Sequence, residues 1–413
     1  GLLMSPAFLY RTQPDPTDGK PQELDDFVLA SRLSYFLWDS MPDPELFAAA
    51  AEGELSDRKG LEAQVRRMLQ DPRAREAVVH FHSQLLDFED IYSVTPDALT
   101  YMPTYLPEIY RERAEEEDDL AGEGFGEQWS GFIIGMRAAM VLEAELFVEK
   151  TIFEGEGTLR ALLTDNHGYV TTAAGDERPG TQAIYGISDD NLLNGPRYEY
   201  YFDDGNLEYQ ITLEPAVFPK AQRSGILTLG AVLVGKSHPV HPAPVLRGVF
   251  LLERLGCQAI GQPPANVADA SSGDALDLNS TNRERTEAIT SPAGCIECHR
   301  QINPPGFALE NYDSMGGWRI TDNGEPVDAS GRLILNQETI GRFTNAAELG
   351  ELMAGSEVVS DCYALNWTRY ALGREIDPLD PALADIQKEF RKNAGNVQEL
   401  LVEIATSDLF RYH

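Results

Sequence analysis

The sequence predicts a mainly α-helical, multi-helical fold, and three observations support this prediction. Apolar residues recur at helical spacing through most of the chain, whereas strict alternation is confined to a short region around residues 198–213. Prolines and glycines divide the periodic segments into lengths typical of helices. The 413 residues are 42% hydrophobic and 24% charged, which supplies enough apolar material for a large core.

The N-terminal part is expected to consist of helices. Residues 25–38 place apolar side chains at helical spacing, and Ser56 and Asp71 precede the next two periodic segments as candidate helix starts. Residues 115–126 are acidic and glycine-rich, which is typical of a solvated loop or a weak domain boundary. We therefore expect an N-terminal helical domain over residues 1–127, as the C-terminal part of a longer precursor.

The middle of the chain combines one long helix with a β-hairpin. Residues 132–150 predict an amphipathic helix. Residues 198–202 and 207–213 alternate in polarity on either side of the turn sequence Asp203-Asp-Gly-Asn206, which is a hairpin signal. Together they predict a helix plus β-hairpin region over residues 128–220.

The next part of the chain, residues 221–335, is expected to form a domain of its own. Residues 223–235 and 244–255 predict two helices, and a proline-rich loop at residues 237–244 joins them. Residues 261–280 are rich in Pro, Ala, Asp and Ser, and this composition predicts a connecting arm.

The C-terminal part, residues 336–413, is expected to be a helical domain. Its apolar periodicity predicts three helices, near residues 346–355, 358–372 and 379–406. No internal repeat accompanies them in the sequence.

The charge balance is strongly acidic and limits the possible partners. Thirty-three Lys and Arg residues against 67 Asp and Glu residues give a formal net charge of −34. Such a surface repels phosphate backbones, so we expect no nucleic-acid partner. It suits either a surface that stays hydrated in salt or one that attracts a cationic partner. The longest apolar stretch, residues 132–148, carries Arg137, Glu143 and Glu145, so we expect no integral membrane segment.

Residues Cys295-Ile-Glu-Cys298-His299 have the C-x-x-C-H pattern of covalent haem c attachment. Two thiols three positions apart on a helical turn can reach the two vinyl groups on one edge of a porphyrin, and the next imidazole can bind the iron as proximal ligand. The carbonyl of Pro304 or Pro305 is expected to orient that imidazole. The motif therefore predicts one covalent haem c, held by Cys295, Cys298 and His299 in a cytochrome-c-like segment.

Two other interpretations of this cysteine pair are weaker. A redox dithiol of the thioredoxin type requires a preceding strand, whereas Ser-Pro-Ala-Gly precedes the pair here. A structural zinc site would need Cys257 and Cys362 as further ligands, at a spacing unlike that of paired zinc ligands. If haem is attached, Cys257 and Cys362 are either two separate buried thiols or a disulfide, because haem c is normally attached outside the cytosol, where disulfides persist.

The ligand on the second face of the iron decides between electron transfer and catalysis. His238 and His241 are the first candidates, because the proline-stiffened loop at residues 237–244 could hold an imidazole beside the haem; the alternative is that both are merely exposed to solvent. Met315, sixteen residues after His299, is a further candidate, with a packed loop methionine as the alternative interpretation.

Several other segments of the chain carry distinctive motifs, namely Leu29-Ala-Ser-Arg-Leu-Ser-Tyr-Phe-Leu-Trp38, Met41-Pro-Asp-Pro-Glu-Leu46, Ser224-Gly-Ile-Leu-Thr228, Pro244-Val-Leu-Arg-Gly-Val-Phe-Leu-Leu-Glu-Arg254 and Asn303-Pro-Pro-Gly-Phe-Ala-Leu-Glu-Asn-Tyr-Asp313. Together with the C-x-x-C-H motif, and in this order, they resemble the large secreted cytochrome-c-type proteins of planctomycetes, myxobacteria and related marine bacteria, which are built of domains of unknown function. The resemblance runs from Gly1 to about Arg411.

This resemblance implies export to the periplasm or the cell exterior, covalent haem, and Cys257 and Cys362 as partners of each other. It also implies a preceding N-terminal part with a signal peptide and often another cytochrome-like domain. The expected function is that of a monohaem c-type cytochrome module that transfers electrons within a larger complex, to other redox proteins or to its own N-terminal part. A peroxidase-like or oxidative haem enzyme with an open distal site is one alternative, and a structural subunit with a stabilising haem is the other.

Overall fold

The computed structural model describes residues 22–108, 123–172, 180–203, 208–261 and 280–412. The protein is 57% helical, and its strands form small antiparallel sheets of two or three strands. The predicted fold class, mainly α with a small β region, is confirmed.

The helices are numbered in chain order: α1 Asp26–Trp38, α2 Pro44–Ala51, α3 Arg58–Met68, α4 Pro72–Leu85, α5 Ala98–Tyr105, α6 Glu123–Phe153, α7 Leu159–Thr164, α8 Thr181–Tyr185, α9 Gly230–Gly235, α10 Pro244–Phe250, α11 Asn282–Thr290, α12 Ile296–Phe307, α13 Ala346–Ala354, α14 Glu357–Leu372, α15 Pro381–Lys392, α16 Val397–Thr406 and α17 Asp408–Arg411. The strands are β1 His167–Val170, β2 Tyr198–Asp203, β3 Glu208–Val217, β4 Thr321–Asp322, β5 Glu325–Pro326, β6 Gly331–Leu335 and β7 Glu338–Phe343. Among the described residues, no helix combines the length and the apolar character that a bilayer crossing requires.

Side-chain caps set several of the helix starts, because the first amide groups of a helix have no partner within it. Asp57 accepts a hydrogen bond from the Gly60 amide at the start of α3, so the cap is one residue later than the predicted Ser56. Thr281 and Glu284 form a reciprocal capping box at the start of α11. Both caps use residues that compete with the backbone inside a helix and are favoured at its start.

The chain divides into two compact units. Unit 1 lies within residues 1–81 and 363–413, and unit 2 lies within residues 82–362. Helices α4 and α14 each contain one of the two boundaries between them.

Unit 1 is built from the two ends of the described chain. Trp367 of α14 stacks on Phe81 of α4, with ring centroids 3.6 Å apart. The buried guanidinium of Arg32 donates a hydrogen bond to the Phe410 carbonyl at 2.6 Å. These contacts join residues more than 280 positions apart, which no local pattern in the sequence indicates.

Unit 2 contains the predicted β-hairpin. Strands β2 and β3 pair antiparallel, with Tyr198 opposite Leu213, and this confirms the predicted strands; the turn residues 204–207 lie outside the described residues. A third strand that the sequence did not predict, β1, pairs antiparallel with β3, and His167 lies opposite Val217. Four residues are too few for an alternating pattern to be recognised, so only the pairing defines β1 as a strand.

Helix α6 supports this sheet on one side and a larger core on the other. Ala138, Ala139 and Leu146 of α6 pack against Ile211 and Leu213 of β3. The larger core gathers buried side chains from α5, α6, α8 and the loop after α12. The long helix is therefore buried on most sides, which explains why its apolar residues are not confined to one narrow stripe.

Two predicted helix boundaries are wrong. Helix α6 begins at Glu123 rather than near residue 132, so the end of the predicted acidic loop is helical, and residues 109–122 lie outside the described part of the chain. The single helix predicted at 379–406 is two helices, α15 and α16. Ala394 and Gly395 between them have φ of 54° and 72°, values that a right-handed helix does not allow.

The region before the cysteine motif also differs from its prediction. Residues 223–235 contain only a 3₁₀ turn at Ile226–Thr228 and the short helix α9, because Gly225 has a φ of 65°. Residues 244–255 are helical as predicted, but the second half, Leu251–Leu255, is a π-helical turn. The predicted connecting arm lies almost wholly outside the described residues, at 262–279.

Candidate functional site

The C-x-x-C-H motif lies at the start of α12. Cys295 is the N-cap residue, and its carbonyl accepts hydrogen bonds from the amides of Cys298 and His299 at 3.2 and 3.1 Å. Gly294 just before it has a φ of 96°, a backbone conformation that favours glycine. The two thiols and the imidazole therefore belong to one helical turn, as the sequence predicted for them.

This turn is on the surface of unit 2. Both thiols are free; Cys295 is half-buried and Cys298 is exposed. The four residues before the motif, 291–294, are exposed, and Ile296 between the cysteines is 41% exposed. A flat apolar group carried by this turn would thus have one edge close to solvent.

The His299 imidazole is held from one side only. Its Nδ1 is 2.8 Å from the side-chain oxygen of Asn303, one turn later on α12. Asn303 is buried, and its amide nitrogen donates to Thr290 Oγ1 at 2.8 Å. Within the described residues, Nε2 of His299 makes no hydrogen bond, so this nitrogen is the one available to a metal.

The expected role of a proline carbonyl is corrected by this arrangement. Pro304 and Pro305 lie inside α12, and the Pro304 carbonyl accepts the helical hydrogen bond of Ala308 at 3.2 Å. A carbonyl inside a helix points along the axis toward later residues, so it does not meet an imidazole on the turn before it. The side chain of Asn303 is the group that faces Nδ1 of His299 instead.

Helix α12 is packed closely against α10, and this contact fixes the orientation of the motif. A Cβ atom added to Gly248 would lie 1.9 Å from the Ile302 carbonyl oxygen, and one added to Gly306 would lie 1.9 Å from the Pro244 carbonyl oxygen. The two helices therefore run antiparallel in direct backbone contact. The π-helical turn after α10 continues this packing toward the start of α12.

The loop at residues 237–244 is ordered around its two histidines. Ser237 and Pro242 form an antiparallel bridge, and the rings of His238 and His241 are 4.9 Å apart. His238 is exposed at the surface, yet partial desolvation, followed by the neighbouring His241, lowers its pKa.

The loop and His299 are connected to opposite ends of α11. The Pro242 carbonyl accepts a hydrogen bond from Asn282 at the start of α11, whereas His299 is connected through Asn303 to Thr290 at the end of α11. Eight residues of helix separate the two ends, about 12 Å along the axis.

Met315 lies in the core of unit 2. Its side chain is fully buried, in a cluster that includes Tyr101, Met136, Met140 and Val234. This position matches the packed loop methionine that the sequence left open as the alternative. The Met315 side chain therefore belongs to this core cluster.

Cys257 and Cys362 form a disulfide, with their Cα atoms 5.4 Å apart. Of the two possibilities that the residues alone left open, the bridge is the one present. It also removes the zinc alternative, because that site needed both of these thiols as ligands. Among the described residues, no group of three His, Cys, Asp or Glu side chains could hold a metal ion.

A buried polar network lies at the start of α11, and the sequence did not predict it. Asn282 donates to both oxygens of Glu310 at 3.1 Å, and Arg319 pairs with Glu310 and with Asp322 at 2.9 and 2.8 Å. Glu310 is 2% exposed, and burial raises its pKa, opposed by Arg319 and Arg247. The members come from a helix cap, a turn and a hairpin, so no spacing in the sequence indicates that they meet.

A second buried cluster lies in the core of unit 2. The Tyr185 hydroxyl donates to Glu143, and the Arg223 guanidinium stacks 3.6 Å from the centre of the Tyr185 ring. Burial raises the pKa of Glu143 to about 8, and the hydrogen bond from Tyr185 and the charge of Arg223 oppose this shift. Oε1 of Glu143 has no hydrogen-bond partner among the described residues. The arrangement favours a neutral carboxylic acid at this position.

Comparison with known proteins gives three family matches along the chain. Residues 24–176 match a family described as Protein of unknown function (DUF1592), residues 223–322 match Protein of unknown function (DUF1588), and residues 341–410 match Protein of unknown function (DUF1585). These are the planctomycete-type, cytochrome-c-like multidomain families. The C-x-x-C-H motif lies inside the second match. No curated protein and no solved structure matches the chain.

Proposed function

We propose that this protein is an exported, monohaem c-type cytochrome module that transfers electrons as part of a larger complex. The observation that carries the proposal is the surface turn of α12, where two free thiols and His299, with its Nε2 unengaged, are together. This is the donor set that covalent haem c requires. The cytochrome-c-like families matched by the chain support the same conclusion.

The attachment chemistry needs only these residues and the porphyrin. Each thiol of Cys295 and Cys298 would add across one vinyl group, with a carbon–sulfur bond formed and the hydrogen passed to the neighbouring vinyl carbon. His299 would hold the iron through Nε2. The haem, when bound, provides the one-electron couple, and the protein provides its orientation and its surroundings.

Electron transfer is favoured by the exposure of the motif. Because Cys298 and Ile296 are exposed, one edge of the haem would be within reach of another redox protein. The net charge of −34 favours a partner with a cationic surface, whose association would slow as ionic strength rises. The disulfide between Cys257 and Cys362 supports an oxidising compartment, periplasmic or extracellular.

A haem enzyme with an open distal face is the second candidate, and the burial of Met315 in the core supports it. The loop with His238 and His241 lies at the other end of α11 from Thr290, and Met315 is buried in the core. An iron that keeps only His299 would have a free site for a small oxidant or substrate. A five-coordinate, high-spin spectrum supports the enzyme, and a six-coordinate, low-spin spectrum supports electron transfer.

The first experiment is intact mass after denaturation together with a pyridine haemochrome spectrum of the purified chain. We expect one haem per chain that stays attached after denaturation and disappears when Cys295 and Cys298 are replaced. An unmodified polypeptide mass, or one zinc ion per chain, contradicts the proposal. The same sample then gives the spin state that separates the two candidate functions.

The distal ligand is tested by His238→Ala, His241→Ala and Met315→Leu. A candidate that binds the iron converts a low-spin spectrum to high-spin when it is replaced and shifts the reduction potential. If all three variants keep the wild-type spectrum, none of these residues is axial. Met315→Leu also checks core packing, because a volume-conserving change there should cost less than about 1.5 kcal/mol.

A further inference from the structure

The His299 imidazole is the end of a short chain of hydrogen bonds that begins on another helix. Thr290, at the end of α11, contacts Asn303, and Asn303 contacts Nδ1 of His299, each at 2.8 Å. The Thr290 hydroxyl is 2.7 Å from the carbonyl oxygen of Thr286. Asn303, Thr286 and Thr290 are all buried, so water does not compete for these bonds.

The direction of every bond in this chain follows from its far end. The Thr286 carbonyl can only accept, so the Thr290 hydroxyl gives its single hydrogen to it. Thr290 Oγ1 must then accept from Asn303, which turns the Asn303 amide nitrogen toward Thr290 and its oxygen toward His299. That oxygen can only accept, so the proton is on Nδ1 of His299.

A neutral imidazole that is protonated on Nδ1 has its lone pair on Nε2, which is the atom a haem iron needs. We infer that Asn303, oriented by Thr290, is the positioning residue that selects this tautomer of His299 and fixes the plane of its ring. The inference rests on the proposed function, because it assigns Nε2 to the iron.

Thr290, where this chain of hydrogen bonds reaches α11, lies at the end of that helix, and the start of α11 is also held in place. The capping box of Thr281 and Glu284 and the bonds from Asn282 to Glu310 fix the start of α11. Thr290 therefore presents its hydroxyl from a fixed position. Asn303 has one orientation in which its amide nitrogen bonds to Thr290 and its amide oxygen bonds to His299. Alignment of the imidazole before haem attachment is the expected consequence.

The acceptor is a neutral amide, and this affects the electronic character of the ligand. A carboxylate at the same position would draw the Nδ1 proton more strongly, make Nε2 a stronger donor and favour the ferric iron. Asn303→Asp should therefore lower the reduction potential. Asn303→Leu, which removes the acceptor, should raise it and loosen the imidazole.

The first test measures the tautomer without haem, so it does not depend on the proposed function. The full chain with Cys295→Ala and Cys298→Ala is labelled with ¹⁵N, and the ring nitrogens of His299 are assigned by NMR at a pH where the ring is neutral. We expect the Nδ1–H tautomer in this background and a mixture of tautomers after Asn303→Leu. Gln301→Leu, on the same helix as Asn303, is the matched control, because it removes the hydrogen bond between Gln301 and Gln258 but leaves the ring untouched.

The second test measures reduction potential and the ferrous iron–histidine stretching band in the haem-loaded protein. Asn303→Asp should lower the potential and raise the frequency of that band, and Asn303→Leu should change both in the opposite direction. Thr290→Val should follow Asn303→Leu in direction, since Asn303 then loses the partner that orients it. Thr290→Ser, which restores the hydroxyl, should return both values to those of the wild type.

The outcomes separate the inference from the proposed function. A chain that carries no haem refutes the function, and the tautomer measurement still decides whether Asn303 controls the ring. Haem present with an Nε2–H tautomer in the apo chain, or with potentials unchanged in both Asn303 variants, overturns the inference and leaves the function standing. A merely structural role of Asn303 would lower stability without moving the potential or the stretching band.

Discussion

The two cysteine pairs of unit 2 differ in how the chain brings them together. Cys295 and Cys298 share one helical turn, are close to solvent and remain free. Cys257 and Cys362 are 105 residues apart in sequence, yet their Cα atoms are 5.4 Å apart and their sulfurs are bonded. One pair is thus a product of local sequence and the other a product of the tertiary fold.

The difference indicates a separate purpose for each pair. A bridge that closes a long loop stabilises the fold, chiefly by restricting the unfolded chain on the chain-entropy model. Two thiols close to the surface that stay free where another pair is oxidised indicate a different chemical partner. With His299 beside them, that partner is proposed to be haem, and the helix that carries them is held by its packing against α10 and by hydrogen bonds.

The largest expected effect is the complete loss of covalent haem when Cys295 and Cys298 are both changed to alanine. The reason is that no other free thiol exists in the chain to form the thioether bonds. Intact mass after denaturation measures it. The matched control is the double variant Cys257→Ala with Cys362→Ala, which should keep its haem; loss of haem there as well would mean that the two pairs do not have separate purposes.

That same bridge variant should lower the free energy of unfolding by about 4 to 5 kcal/mol, because the bond closes a loop with a sequence separation of 105. Urea unfolding with and without a reductant measures the loss. Reduction should bring the wild type down to the variant and leave the variant unchanged. Equal stability of the two proteins under oxidising conditions would show that the bridge does not stabilise the fold.

Arg319→Met tests the buried polar network at the start of α11, the helix whose other end contacts Asn303 below the turn with Cys295 and Cys298. This change leaves Glu310 buried without its cationic partner, and breaking such a pair costs about 3 kcal/mol or slightly more. The control is Arg160→Met, which removes a largely exposed ion pair with Glu351 and should cost less than about 1 kcal/mol. Urea unfolding measures the free energy of unfolding of both variants. Similar losses would show that the buried network at α11 stabilises the fold no more than an exposed ion pair does.

The last expected effect, the smallest for a step of one pH unit, is a pH dependence that the disulfide does not share. Burial raises the pKa of Glu143 to about 8 from the ordinary 4.5, so between these values the folded protein holds a proton that the unfolded chain has released. The free energy of unfolding should therefore fall as pH rises from 4.5 toward 8, by roughly 1 kcal/mol per pH unit, and the stabilising contribution is fully present below pH 4.5.

Glu143→Gln measures this dependence, because glutamine keeps an acceptor for the Tyr185 hydroxyl and does not titrate. The stability of the variant relative to the wild type should increase steadily between pH 5 and pH 8. The loss caused by removing the disulfide should be the same at each pH. Parallel curves for Glu143→Gln and the wild type would contradict the assignment of a neutral acid.

Much of the local structure could be predicted from the sequence. The hairpin strands at 198–213, the helix that carries Phe132 to Lys150 and the common turn of Cys295, Cys298 and His299 follow from periodicity and spacing. The break between α15 and α16 was missed, because apolar residues continue at helical spacing across Ala394 and Gly395. Periodicity reports which side chains are buried, and two helices packed on the same core can share one pattern.

The candidate site was predicted only in part, for a similar reason. C-x-x-C-H can be recognised because attachment to one porphyrin edge fixes its spacing. The orientation of His299 was assigned to a proline carbonyl, whereas the structure uses the side chain of Asn303, whose own orientation depends on Thr290 from another helix. Likewise, only packing could distinguish Met315 as a core residue from Met315 as a ligand.

The sequence by itself determined the helical fold class, the strongly acidic surface and the turn that brings two thiols and one imidazole together, because each depends on residues within a few positions of one another or on composition alone. Only the tertiary structure decided that Cys257 meets Cys362, that residues near both ends of the chain share one unit, and that Thr290 contacts Asn303 beside His299. Those contacts join segments whose spacing carries no signal. They form because apolar burial packs these segments against one another, and a buried polar group then pairs with a partner on whichever helix packs beside it.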